Sequence, residues 1–257
     1  MALGEISQQF LKNVEGATGL PVHVETDSRL EPPLLARVQV ARRGVPLHRV
    51  VFHPNARGMA DYLIAFQCSF VLRLFALPVE ERFDLTINPT AEGESLAWAK
   101  THPASASLSP DRQAAFAEFL RTSLMSMLRS IPVGLWIDHD LRNRFPELRE
   151  AQEQAARRQL DTHASLLRPE IQRSVPEPAL RINLAINAAF AKFWSRELDQ
   201  SGLTLPYLTV GALQKGEALL AKSDALEPGP ANDRRLIQTW ADELGLGGWI
   251  LWLPYSP

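Results

Sequence analysis

Phe66-Gln67-Cys68-Ser69-Phe70 stand in the middle of the most apolar stretch of this chain. A buried helix after a short sheet is the setting for an H-E-x-x-H zinc motif, in which two His one turn apart ligate the metal. The Glu beside the first acts on a bound water. Here the motif slots hold Phe66, Gln67 and Phe70. A phenyl ring has no lone pair for a cation, and a carboxamide cannot take a proton from water. Zinc hydrolysis through this turn is excluded in that register. No metal ligand and no cofactor is assigned. The same two Phe also read simply as core, each contributing on the order of 2 kcal/mol by burial.

Other residues of chemical interest are scattered. Cys68, mid-helix among apolar neighbours, has no base to stabilise a thiolate and reads as an inert buried thiol. His48 and His53 flank a strand five positions apart, so alternation sends them to opposite faces and argues against joint ligation. Asp138-His139-Asp140 looks like a ligand cluster. Asp138 with Arg142 and Asp140 with Arg144 are also spaced i,i+4, which solvated helix ion pairs explain without a metal. Asn183 and Asn187, one turn apart and in line with Phe190 and Trp194, must either tie helices together or line a polar cleft. Trp249, Trp252 and Tyr255 fall within seven residues and either close the core or form a partner-binding patch.

The elements that position these residues follow from periodicity. Ile6, Phe10, Leu11 and Val14 predict an amphipathic helix ended by Gly16 and Gly19. Residues 21–25, 35–40 and 45–52 alternate as strands, with Arg42-Arg43-Gly44 as a turn. A loop over 55–58 leads into an apolar helix over 59–75, shorter than the roughly 20 residues of a membrane span. Residues 88–110, rich in Ala, Ser, Thr and Pro, read as a surface loop. Helices follow from Ser109-Pro110, around 135–144, from Pro146 to near Pro169, and over 177–198, 210–222 and 233–244, before the aromatic tail. The expected fold is a single α+β domain over 1–257. It is predominantly helical, with a small N-terminal antiparallel sheet packed against a buried central helix. Its parts are a sheet and buried-helix half (1–87), a loop (88–110) and a helical half (111–257).

In this layout, 22–75 and onward into 132–150 resembles the minimal zincin metallopeptidase domains, small bacterial domains whose catalytic helix follows a short sheet and carries a pattern like I-A-H-E-x-x-H. Ile64-Ala65 stand directly before the motif slot. The resemblance implies a zincin-like fold with a degenerate site, in which a downstream acidic ligand would be sought within 132–150.

Composition narrows the function further. The chain has 257 residues with 27 basic and 29 acidic side chains, a formal net charge of -2, and offers no electrostatic footprint for nucleic acid. The single cysteine forbids an internal disulfide, and the N-terminus lacks the basic end and apolar run of a signal peptide. A cytoplasmic protein with no membrane span is expected. There is no G-x-x-x-x-G-K loop, G-x-S-x-G elbow or paired-Cys zinc signature. The leading expectation is a metallopeptidase-like protein without a functional zinc site that binds a protein or peptide partner. A competing one is an enzyme with a cleft lined by Asp138, His139, Asn183 and Asn187, with Cys68 a further candidate for its lining. A third is a helical interaction protein using its tail or the 88–110 loop.

Overall fold

The computed structural model describes residues 3–30 and 34–256; residues 1, 2, 31–33 and 257, which include both ends of the expected 1–257 domain, lie outside it. The chain begins with α1 (Glu5–Thr18), whose Phe10 and Val14 are buried, and it stops at Gly19 in the left-handed conformation. Three strands follow: β1 (Val22–Thr26), β2 (Ala36–Gln39) and β3 (His48–Phe52). The turn at Arg43 and Gly44, both at positive φ, precedes β3 as the sequence implies.

The sheet is mixed rather than antiparallel. β3 lies in the middle, parallel to β1 and antiparallel to β2. The reason lies in β3 itself: Val50, Val51 and Phe52 are all buried, which demands a neighbour on each edge. β1 and β2 keep exposed residues and take the edges. Because β1 and β2 run in opposite directions, a strand placed between them must be parallel to one of the two.

Residues 54–59 form a 3-10 turn, not a loop, and run directly into α2 (Ala60–Phe75). Together they make a 22-residue helical run apolar enough to pass for a membrane span by length and composition. Its side chains are instead central to the core, with Leu63, Ile64, Ala65, Cys68 and Val71 all buried. α1, β2, β3 and two later helices, over 110–144 and 149–164, pack around it. Arg73 on α2 forms a largely buried fork with Asp233, bonding its carboxylate through Nε at 2.9 Å. That pair ties α2 to a helix 160 residues away.

The 88–110 segment is helical as well: α3 (Thr90–Thr101) and α4 (Pro103–Ala106). Its buried face consists of Ala91, Ser95 and Ala99, spaced i, i+4, i+8, and small residues let α3 lie close on α5 (Pro110–Arg144). α5 runs unbroken through Pro132, which only removes the N–H that the Leu128 carbonyl would have accepted from. After a 3-10 turn come α6 (Arg149–Ala164), α7 (Pro169–Gln172), α8 (Glu177–Glu197), α9 (Leu205–Thr209), α10 (Leu213–Asp224) and α11 (Pro230–Glu243). Gly216 makes the close approach of α10 to α8 feasible, since a Cβ there would fall 2.6 Å from the Ala189 nitrogen.

Two strands unannounced by the sequence complete the fold. β4 (Phe83–Ile87) pairs antiparallel with β5 (Ile250–Pro254), so the tail closes onto the first third of the chain. Trp249 is 2% exposed, donates to Glu94 Oε2 at 2.7 Å and stacks against Trp98 at 5.0 Å. Trp252 meets Phe83 edge-on and donates to Gln238, while the buried Tyr255 hydroxyl donates to the Ala41 carbonyl. A Trp249→Ala substitution should therefore lower the unfolding free energy by about 3–5 kcal/mol, the range for emptying a buried aromatic site. The half-exposed Trp252→Ala should cost less. Denaturant unfolding monitored by circular dichroism checks both, and equal small losses would mean that the tail does not close the core.

Candidate functional site

α2 is mostly apolar, yet one side of it is not fully covered. Tyr62 and Phe66, one turn apart, and Gln67 line a cavity of about 970 Å³. α5, α6 and α8 supply the facing walls, and Leu34, Leu35 and Ala36 form one flank. Most of the lining is aliphatic or aromatic. Phe119, 65% exposed, and Leu34, 41% exposed, stand on its solvent side.

The α2 wall is an aromatic column. The Phe66 ring lies 5.7 Å from Tyr62 and 5.3 Å from Phe70, the latter nearly perpendicular. Gly134 on α5 admits Phe66: a Cβ there would sit 3.1 Å from its ring. Gln67 is buried and donates through Nε2 to the Ala36 carbonyl at 3.2 Å, bracing α2 against β2. Cys68 is fully buried outside the cavity lining, and burial pushes its thiol up to about 12. It is protonated and unreactive at neutral pH.

Zinc does not fit this arrangement. Where two imidazoles would be needed, Phe66 and Phe70 present ring faces and edges, which donate no electron pair. Among the described residues no three His, Cys, Asp or Glu side chains gather so as to hold a metal ion. His48 is spent inside the sheet, where its Nδ1 accepts from the Ala41 amide at 3.0 Å, and His53 accepts from Asn55 at 3.1 Å to cap the 3-10 turn.

A polar group does project into the apolar wall, at Asp138 of α5. Its side chain is 4% exposed, and Oδ1 accepts from the Tyr62 hydroxyl at 2.8 Å and from Gln152 Nε2 at 3.0 Å. Burial, followed by the nearby charge of Glu197, outweighs these bonds and raises the carboxyl to about 7. Neither bond uses Oδ2. Near neutral pH this side chain can therefore hold or release a proton at the cavity wall.

The sequence cluster Asp138-His139-Asp140 is split by the helix. With about 100° of rotation per residue, Asp138 faces inward while His139 and Asp140 face solvent. The expected Asp138–Arg142 ion pair does not form; Arg142 turns to Glu197, whose other oxygen meets His139 Nδ1 at 2.9 Å. Asp140 and Arg144 do pair, at 3.0 Å. Of the expected cleft, Asp138, Asn183 and Asn187 come together on the cavity and His139 stays outside it.

Asn183 and Asn187 bond each other along α8, Nδ2 of Asn187 donating to Oδ1 of Asn183 at 2.8 Å. Phe190 and Trp194 continue that face, and His163 of α6 stacks edge-on against Phe190 at 5.1 Å. Burial pushes the His163 imidazole down to about 4, so it is neutral at physiological pH. His163, Tyr62, Gln152 and Trp194 complete the site without having been singled out in the sequence. A signal for α6 existed: Gln152, Ala155, Ala156, Gln159 and His163 recur at helical spacing as a stripe of small and polar side chains.

The two shifted groups act oppositely on stability. Asp138 titrates at about 7 folded against 3.8 unfolded, so its contribution falls as pH rises between those values. His163 titrates at about 4 folded against 6.5 unfolded, so its contribution rises with pH across nearly the same window. Each amounts to on the order of 4 kcal/mol across its window, and in the wild type they largely cancel. Asp138→Asn should gain stability relative to the wild type steadily from pH 4 to pH 7, and His163→Gln should lose relative stability over the same range. Unfolding free energies measured in steps across that range test this; difference curves independent of pH would mean that neither group titrates as described. Comparison of the chain with protein-family models, curated proteins and solved structures returns no match.

Proposed function

We propose that this protein is a binding protein for an apolar small molecule, held in the cavity between α2, α5, α6 and α8. The cavity carries the reading. Its volume of about 970 Å³ lies at the upper end of the roughly 300–1,000 Å³ of ligand pockets, and it shares their mostly apolar lining with a few convergent polar groups. Exposed Phe119 and Leu34 beside the opening give an apolar ligand a first contact. The degenerate metallopeptidase relationship belongs to the same proposal: α2 follows a small sheet, and Phe66 and Gln67, in the first two motif slots, line the cavity. On this view a hydrolytic cleft has become an apolar binding cavity.

A peptide partner, the occupant expected from the sequence, has less to attach to. A peptide added to the β2 edge would need free main-chain groups there, and the Ala36 carbonyl already accepts from Gln67. An apolar peptide side chain entering the cavity is the alternative outcome of the same assay. An enzymatic role would centre on Asp138, whose Oδ1 is already held by the Tyr62 hydroxyl and by Gln152.

The test uses diphenylhexatriene, a hydrocarbon dye that fluoresces only in apolar surroundings. The full chain should bind it saturably at about one dye per protein. Ala156→Phe and Ala179→Phe, at buried positions on the cavity wall, should each weaken binding tenfold or more while leaving the thermal midpoint unchanged or higher, because the added ring fills empty space. Unsaturable binding, or equal affinity in wild type and stable variants, would overturn the reading.

A further inference from the structure

The polar atoms of the cavity specify more than an apolar occupant. This inference rests on the cavity reading above and adds the class of ligand. Three buried side chains lining the cavity carry polar atoms that no hydrogen bond among the described residues satisfies: Trp194 Nε1, Asn187 Oδ1 and His163 Nδ1. Trp194 and Asn187 are 0% exposed and His163 is 5% exposed. Asn187 and Trp194 share one face of α8 with Phe190 between them, and His163 packs on that ring from α6. An orphaned buried polar atom costs roughly 1–3 kcal/mol, an expense that the polar groups of a ligand could offset.

Their chemistry is complementary. The indole N–H can only donate, the free carboxamide oxygen can only accept, and the neutral imidazole supplies one role or the other by tautomer. A group that both donates and accepts is required. A carboxylate cannot donate, and an ammonium cannot accept.

Charge points the same way. Among the described residues no Lys or Arg lines the cavity, and its ionisable members are Glu118, on the exposed side, with Asp138, His163 and Tyr62. An anion placed inside would be buried without a partner beside two carboxyl groups, which is strongly unfavourable. We propose that Asn187, Trp194 and His163 form the head-group subsite for an uncharged, hydroxyl-bearing apolar molecule, with the hydrocarbon part running along the Phe66 wall toward Phe119.

Displacement of diphenylhexatriene by three probes carrying a twelve-carbon chain tests this: 1-dodecanol, dodecanoate and dodecyltrimethylammonium, at pH 8. Dodecanol should compete at least tenfold better than either charged probe. Trp194→Phe, which keeps an aromatic ring and removes the N–H, and Asn187→Leu, which keeps the volume and removes the amide, should each weaken dodecanol about 3- to 10-fold while changing affinity for the hydrocarbon dye less than twofold. Preference for dodecanoate, preference for the quaternary ammonium, or equal competition by all three would overturn the proposal, as would dodecanol affinity untouched by both variants. Failure of the dye to bind the wild type would remove the cavity reading and this one together. Dye binding with no head-group preference removes only this one.

Discussion

The structure depends on one constraint: the helix over 60–75 is predominantly apolar, and its apolar faces must be covered. Leu63, Ile64, Ala65, Cys68 and Val71 leave almost no surface that water could solvate, and the remainder of the chain is arranged to shield them. α1 covers one side, the small sheet another, and α5 and α6 the rest. This explains why β3 is central in its sheet, since its buried run faces the same core. It also explains why Arg73, a cation on an otherwise apolar helix, is matched by a buried carboxylate from a distant element. Along Tyr62, Phe66 and Gln67 the covering helices stand off, and that gap is the cavity.

Elements whose burial is carried by large apolar side chains were legible in the sequence. The stripes of α1, α2, the first half of α5 and α8 appear at the predicted places. Two classes of element were not. α3 buries Ala91, Ser95 and Ala99, and a face of small side chains carries almost no hydrophobic signal even though its spacing is regular. β4 and β5 depend on pairing between residues 83–87 and 250–254, and neither short segment declares a partner that far away. The parallel pairing of β1 with β3 was hidden for a related reason: strand order reflects which strand needs two neighbours, a property of the assembled sheet.

The site was legible in part. Asn183 and Asn187 were identifiable because carboxamides on an apolar helix face need an explanation, and both lie on the cavity. Asp138 was identifiable as a residue of interest, but its i,i+4 arginine suggested a solvated pair. The competition was decided by Tyr62 and Gln152, which are 76 and 14 residues away and offer the carboxylate two hydrogen bonds at the cost of burial. Arg142 found Glu197 instead. Local spacing lists the partners a charge could have; the packing of α2 against α5 and α6 selects among them.

Polar atoms without partners are not all alike, and the difference bears on what the cavity is for. His48 Nε2 and Tyr207 OH are also unsatisfied and buried, but neither residue lines the cavity; each is enclosed by packed core and reads as a local cost of folding. Trp194, Asn187 and His163 incur the same cost beside a space large enough for a ligand. A core under selection for stability alone could relieve it by substituting Phe, Leu or another apolar residue at these positions, because apolar replacement of both halves of a buried polar pair is nearly neutral or stabilising. It could also fill the space. Polar edges retained around an apolar volume are contacts that a ligand can complete, and the donors and acceptors there suit hydrocarbon along the aromatic column and a neutral group that gives and takes hydrogen bonds at the far end.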